Sequence, residues 1–266
     1  MKARVSAYEI SRIVLEQSMR ARVGHIGSAL SISGILAALY DGGLRAGAPD
    51  DPDRDRFILS KGHAALALYA ALHLRGWLTA DELDTYCADD TLLGVHPDSE
   101  LIGVDFSTGS LGHGLSIGVG AALGARMQGS QRRVVVLVSD AECDEGSLWE
   151  AVMLAAHQHL GNLIAIVDLN GQQALGYTKD VLSLDPLGDR WGAFGWDVLH
   201  VDGHDVPGLT KAIASLNDRP ATPHVLIAHT VFGHGVSYMR NQIKWHYLPM
   251  SQTDYEVALN DIKSLQ

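Results

Sequence analysis

Two cysteines in 266 residues, Cys87 and Cys143, are too few for a disulfide framework or a cysteine-rich zinc site. Basic residues are scarce as well: 20 Lys and Arg against 31 Asp and Glu give a formal net charge of −11. A polyanion such as nucleic acid would be repelled overall, so it is not expected as a partner. A small anion held by local dipoles and a metal remains compatible with that charge. No stretch approaches the roughly 18 consecutive apolar residues of a membrane span. The start, MKARVSAYEISRIVLEQSMR, scatters charges among its apolar residues and lacks the core of a signal peptide. A soluble, cytoplasmic protein is the expectation. What the chain has is a hydrophobic content of 47%, enough for one large core. With no repeat or convincing linker, residues 1–266 read as a single domain.

Four short apolar runs, at 133–140, 163–170, 196–203 and 224–231, read as strands buried on both faces. Helical patterns lie between them at 147–160 and 206–218, the first with Ser147 and Glu150 at capping-box spacing. Upstream, 5–22, 31–40, 63–75 and 112–128 read as helices, and Thr79 with Glu82 caps a further short one. Strand–helix–strand alternation predicts an α/β fold, a parallel sheet with helices on both faces. Ligands of such sheets bind beyond the carboxyl ends of the strands, where Asp140, Asp168 and Asn170 stand.

The stretch SDAECDEGSLWEA, 139–151, sets five carboxylates directly after an apolar run. A charge run usually covers a solvated helix face; here some of its oxygens could instead hold a metal. Asp140 and Asn170, one strand–helix–strand unit apart, offer a carboxylate and an amide oxygen, hard ligands suited to magnesium or calcium. Spacing alone fits equally well a cap at Asp140 and a left-handed turn at Asn170. The helix beginning near Ser147 would aim its amino-terminal dipole at the same place, favouring an anion. In STGSLGHGLSIGVGAALGA, Gly109, Gly112 and Gly114 would let a backbone approach a ligand closely. Gly118 and Gly120 instead suit tight helix packing. His25, His63, His96 and His246 all fall in loop-like settings, where imidazoles can bind hydroxyls or relay protons. His113, His157, His159, His200 and His204 read as structural.

Taken together, GHIGSALS, RDRFILSKGHAALALYA, STGSLGHGLSIGVGAALGARM, DAECDEGSLWEA, NLIAIVDLN and DVLHVDGHD resemble the blocks of the amino-terminal, diphosphate-binding part of transketolase, in that family's order, from about residue 8 to 260. The resemblance implies the thiamine-diphosphate-binding fold. It also implies a magnesium ion, or calcium or manganese in its place, held by Asp140, Asn170 and the backbone carbonyl of Gln172. His63, Gly109, Leu111, Gly112, Gly114 and Ala141 would line the cofactor, and Glu145 would link the site to a glutamate of a partner subunit. His25, His96 and His246 would contact the substrate's hydroxyls or move its protons. Glu142, Asp144 and Glu150 keep the solvated-face or capping reading.

Two features depart from the family. Its Gly-Asp-Gly signature stands here as Ser139-Asp140-Ala141, and Tyr247 occupies a position where glycine is usual, beside His246. A complete transketolase is more than twice as long, so the chain resembles one subunit of a split enzyme. Its implied partner is a transketolase C-terminal-type subunit, most simply in an α₂β₂ heterotetramer. The implied reaction is transfer of a two-carbon ketol unit from a ketose to an aldose phosphate or to a carrier-tethered acceptor. The alternatives are the alpha subunit of a 2-oxo acid dehydrogenase and a non-catalytic regulatory paralogue.

Overall fold

In the computed structural model, which describes residues 4–216 and 221–266, five strands form one parallel sheet. They are β1 (Arg56–Leu59), β2 (Val134–Ser139), β3 (Leu163–Leu169), β6 (Asp197–Asp202) and β7 (His224–His229), in the order β1-β2-β3-β7-β6. A two-residue hairpin, β4 (Gln172–Gln173) and β5 (Gly176–Tyr177), follows β3. Successive residues of the three central strands point to opposite faces, and both faces are dry. Val135, Leu137, Ile164, Ile166 and Leu226 join one core, while Val134, Val136, Val138, Leu163, Ala165 and Val225 join the other. That is why these runs are continuously apolar and do not alternate.

The first core is covered by α1 (Ala7–Ala21), α2 (Ile26–Ser31), α3 (Ser33–Ala38), α4 (Ala65–Leu74) and α5 (Ala80–Leu83). The other is covered by α6 (Gly114–Met127), α7 (Gly146–His157) and α9 (Leu187–Ala193). The short α8 (Thr178–Val181) packs on the hairpin, while α10 (Val206–Ser215) and α11 (Gln252–Asp261) return to the first face. The expected α/β sheet with helices on both faces is therefore present. Gly118 lets α6 lie directly on β2, since a Cβ there would overlap the Val136 side chain.

Several local expectations are corrected. β1 is not among the expected strands: four residues after a turn-rich segment are too short to show a period. β6 pairs only with β7, so it is an edge strand with mostly half-buried residues, not one buried on both faces. Ser147 is no cap; Glu145 occupies that position without a side-chain bond, and the Ser147 hydroxyl donates to the Gly112 carbonyl. The Thr79–Glu82 capping box is present. A Cβ added to Gly120 would meet nothing within 4 Å, so packing does not require glycine there. The helix expected over 206–218 is described to Ser215; positions 217–218 lie outside the described residues. No helix among the described residues is long and apolar enough to cross a membrane.

Candidate active site

Parallel pairing of Ser139 with Asp168 brings the ends of β2 and β3 level, so Asp140 and Asn170 emerge at one edge of the sheet. Asp140 is 5% exposed. Its carboxylate accepts from the Ala141 amide at 2.9 Å and from the Gly171 amide at 2.7 Å. Burial, reinforced by the charge of Asp168, pushes its carboxyl up to about 7. A carboxylate so poorly solvated gains from a cation placed against it. The Asn170 amide donates to Asp168 at 2.8 Å, and its oxygen accepts from the Gln172 amide at 2.9 Å. The Gln172 side chain is buried and its amide oxygen has no partner. Ala141 is outside the left-handed region, so the methyl there brings no backbone strain.

Glu142, Lys61 and Asp168, none of them expected to hold the metal or the cofactor, organise these strand ends. Glu142 is completely buried, which overturns the solvated-face reading. Its carboxylate accepts from the Ser60 hydroxyl, from the Gly112 amide at 2.8 Å and from the Ser139 amide at 3.3 Å, tying the end of β2 to the loops that carry Ser60 and Gly112. Lys61 and Asp168 form a buried ion pair at 2.5 Å. Asp168 also accepts from Ser31, Thr230 and Asn170, and Lys61 holds its carboxyl below the usual range against the cost of burial. Most of these partners are remote in sequence, so no local pattern reveals them. Asp144, half-buried, accepts from Gln173, whereas Glu150 is exposed as expected.

A cavity of about 230 Å³ opens beside this edge. His25, Lys61, His63, Leu111, Ala141, Glu145, Asn170, Gln172 and His246 all line it. His25 starts α2 in the left-handed region, at φ 60°, and its amide donates to the His246 carbonyl at 3.1 Å. A non-glycine residue held there marks a position where the surroundings dictate the backbone. The His25 and His63 ring centroids are 4.9 Å apart. Burial, with neighbouring positive or histidine side chains adding to it, lowers all three imidazoles. His63 and His246 fall to about 4, and His25 moves the same way. At neutral pH each ring therefore offers one N–H donor and one acceptor, a set suited to hydroxyl groups and proton transfer.

His96 does not line this cavity. It stands 4.3 Å from His63, ring to ring, and lines an adjoining cavity of about 520 Å³ with Gly109 and with His113, a residue that reads as structural in the sequence. Gly112 and Gly114 line neither; their amides donate to Glu142 and Ser60. Gly112 needs its φ of 81° and packs on the Cβ of Glu145. Asp140 does not line the cavity of about 230 Å³; it borders a smaller recess that shares Asp144 with it. No cluster of three His, Cys, Asp or Glu side chains suited to a metal occurs among the described residues.

Comparison with known proteins bears on what this edge is for. Residues 3–262 match the family profile described as "Transketolase, thiamine diphosphate binding domain". An apulose-4-phosphate transketolase subunit of Phocaeicola vulgatus is 41% identical over 252 residues, covering 94% of this chain and 89% of that protein. The 6-deoxy-6-sulfo-D-fructose transketolase subunit of a Clostridium species is 37% identical, covering 96% and 94%. The transketolase of Campylobacter jejuni superposes with a TM-score of 0.90 at 27% identity, covering 97% of this chain. The chain spans 42% of that solved enzyme. With its parallel sheet, its strand-end oxygens and a match over nearly its whole length, the chain belongs to the transketolase family, as a thiamine diphosphate binding domain.

Proposed function

We propose that this chain, read as one domain over 1–266, is the cofactor-binding subunit of a two-chain transketolase that depends on thiamine diphosphate and magnesium. The reaction is transfer of a two-carbon ketol unit from a ketose to an aldehyde. The observation that carries this reading is the convergence of Asp140, Asn170 and Gln172 on two adjacent strand ends, beside a cavity walled by His25, His63 and His246. The donor set suits a hard divalent ion: a buried carboxylate raised to about 7, an amide oxygen and a peptide carbonyl. Asp140, Asn170 and the backbone carbonyl of Gln172 would hold magnesium, with calcium or manganese as substitutes. Leu111 and Ala141 would border the cofactor, and the glycine-containing loop at 109–114 would support it from the next cavity.

When bound, thiamine diphosphate supplies the carbanion chemistry that lets the C–C bond beside a ketone be broken. The chain's own residues do the rest. His25 and His246 orient substrate hydroxyls and exchange protons with them, and His96 does so from the adjoining cavity. Lys61, held by Asp168, keeps positive charge at the cavity wall. Glu145, exposed at the rim, would face a partner of the transketolase C-terminal type. Exposed Leu175 and Tyr177, on the hairpin that carries the lining residue Ala174, and exposed Leu248, two residues after His246, support such a partner, most simply in an α₂β₂ assembly. The sugars in the two relatives' names favour a monosaccharide donor with a terminal anion, and the acceptor is an aldose phosphate or a carrier-tethered aldehyde.

The test is titration calorimetry on the two-chain assembly. Asp140→Ala should abolish magnesium-dependent binding of thiamine diphosphate while circular dichroism stays unchanged, because it removes an anionic ligand at a strand end and no core packing. Binding as tight as wild type would remove Asp140 from the site and the proposal with it.

A further inference from the structure

We infer that Tyr247 is a specificity-determining residue: with Ala174 it forms a strap over the histidine-lined cavity that discriminates against long donor chains. The inference rests on the ketol-transfer reading. Its physical basis is a bridge between two walls of one cavity. Ala174, at the tip of the hairpin after Asn170, lines the cavity, and so do His25 and His246. Tyr247 follows His246 directly, and its hydroxyl donates to the Ala174 carbonyl at 2.6 Å. Its ring centroid lies 6.5 Å from that of His25 and 6.0 Å from that of His246.

The strap is anchored at one end and releasable at the other. At the anchored end, a Cβ on Gly24 would come within 2.5 Å of the Tyr247 carbonyl oxygen, and the His25 amide is bonded to the His246 carbonyl. The backbone of 246–247 is thus seated on the turn that presents His25. At the other end only the hydroxyl reaches across, from a residue 55% exposed. One hydrogen bond that water can replace is weak, so a bound chain that needs the space can open it at a small cost. A donor whose chain ends short of the strap would bind without that cost.

The experiment uses the two-chain enzyme with Tyr247→Phe and Tyr247→Ala, one aldehyde acceptor and four donors. These are xylulose 5-phosphate, fructose 6-phosphate, 6-deoxy-6-sulfofructose and sedoheptulose 7-phosphate. In Tyr247→Phe, kcat/KM for the longest donor relative to the shortest should rise about 2- to 10-fold, the worth of one hydrogen bond, chiefly through KM. Tyr247→Ala should shift the ratio further. Amide hydrogen exchange at Gln173–Gly176 should quicken in Tyr247→Phe, a readout independent of turnover. Equal scaling of all donors, or unchanged exchange at the hairpin, overturns the strap. If wild type turns over none of the four, the ketol-transfer reading fails first and takes the inference with it.

Discussion

Glu142 meets three donors in a site that water does not reach, and its loss should be felt there first. Glu142→Ala strands the Ser60 hydroxyl and the Gly112 and Ser139 amides, so unfolding free energy should drop by about 3 kcal/mol or more, measured in urea. Glu142→Gln, which keeps an acceptor, should lose less. The neighbouring carboxylates read alike in sequence, because nothing local distinguishes a buried Glu142 from an exposed Glu150; Ser60 and Gly112 decide it from remote loops. Asp140 and Asn170 are legible because each follows an apolar strand directly. The histidines carry a pH signature with a definite sign. His246 is held at about 4, so the unfolded chain binds its proton first, and stability is lost as pH falls from the ordinary histidine value toward 4. Above that window the group contributes no slope. The drop in urea midpoint between about pH 7 and about pH 4.5 should therefore be smaller in His246→Gln than in wild type. In the assembled enzyme, His25→Ala or His246→Ala should cut ketose turnover on the order of 100-fold while leaving thiamine diphosphate affinity nearly unchanged. Loss confined to cofactor affinity would put those imidazoles at the wrong end of the site.

At the scale of elements, α6 gives a paired test because two of its glycines face different surroundings. Gly118→Ala forces a methyl into Val136 and should destabilise by about 1–3 kcal/mol. Gly120→Ala, on an open face, should stabilise by about 0.4–1 kcal/mol through the loss of unfolded-state freedom. Chemical denaturation of both variants checks the contrast, and equal effects or a reversed order would mean α6 does not lie on β2 as described. The central strands are readable in sequence to within a residue or two, since a strand buried on both faces leaves an unbroken apolar run. β1 is not, because four residues carry no period, and β6 reads as buried when its place at the sheet edge leaves it half wet. Edge position follows from strand order, which no local pattern records. The same limit applies to Ser147, whose spacing to Glu150 suits a cap but whose hydroxyl is taken by Gly112.

For the whole molecule, the decisive fact is proportion. The chain covers 42% of the solved Campylobacter transketolase yet 89% and 94% of two proteins described as transketolase subunits. Its cavity lies at the carboxyl ends of β2 and β3, with Glu145 exposed beside it and exposed Leu175 and Tyr177 on the neighbouring hairpin, a surface that a second polypeptide would cover. On this account the chain supplies the metal and diphosphate half of the site and a partner supplies the rest. The most direct measurement is ketol transfer from a ketose phosphate by the purified chain, with magnesium and thiamine diphosphate, alone and then with the transketolase C-terminal-type subunit. The account predicts no turnover alone and cofactor-dependent turnover on adding the second chain; robust turnover by this chain without a second polypeptide would contradict it.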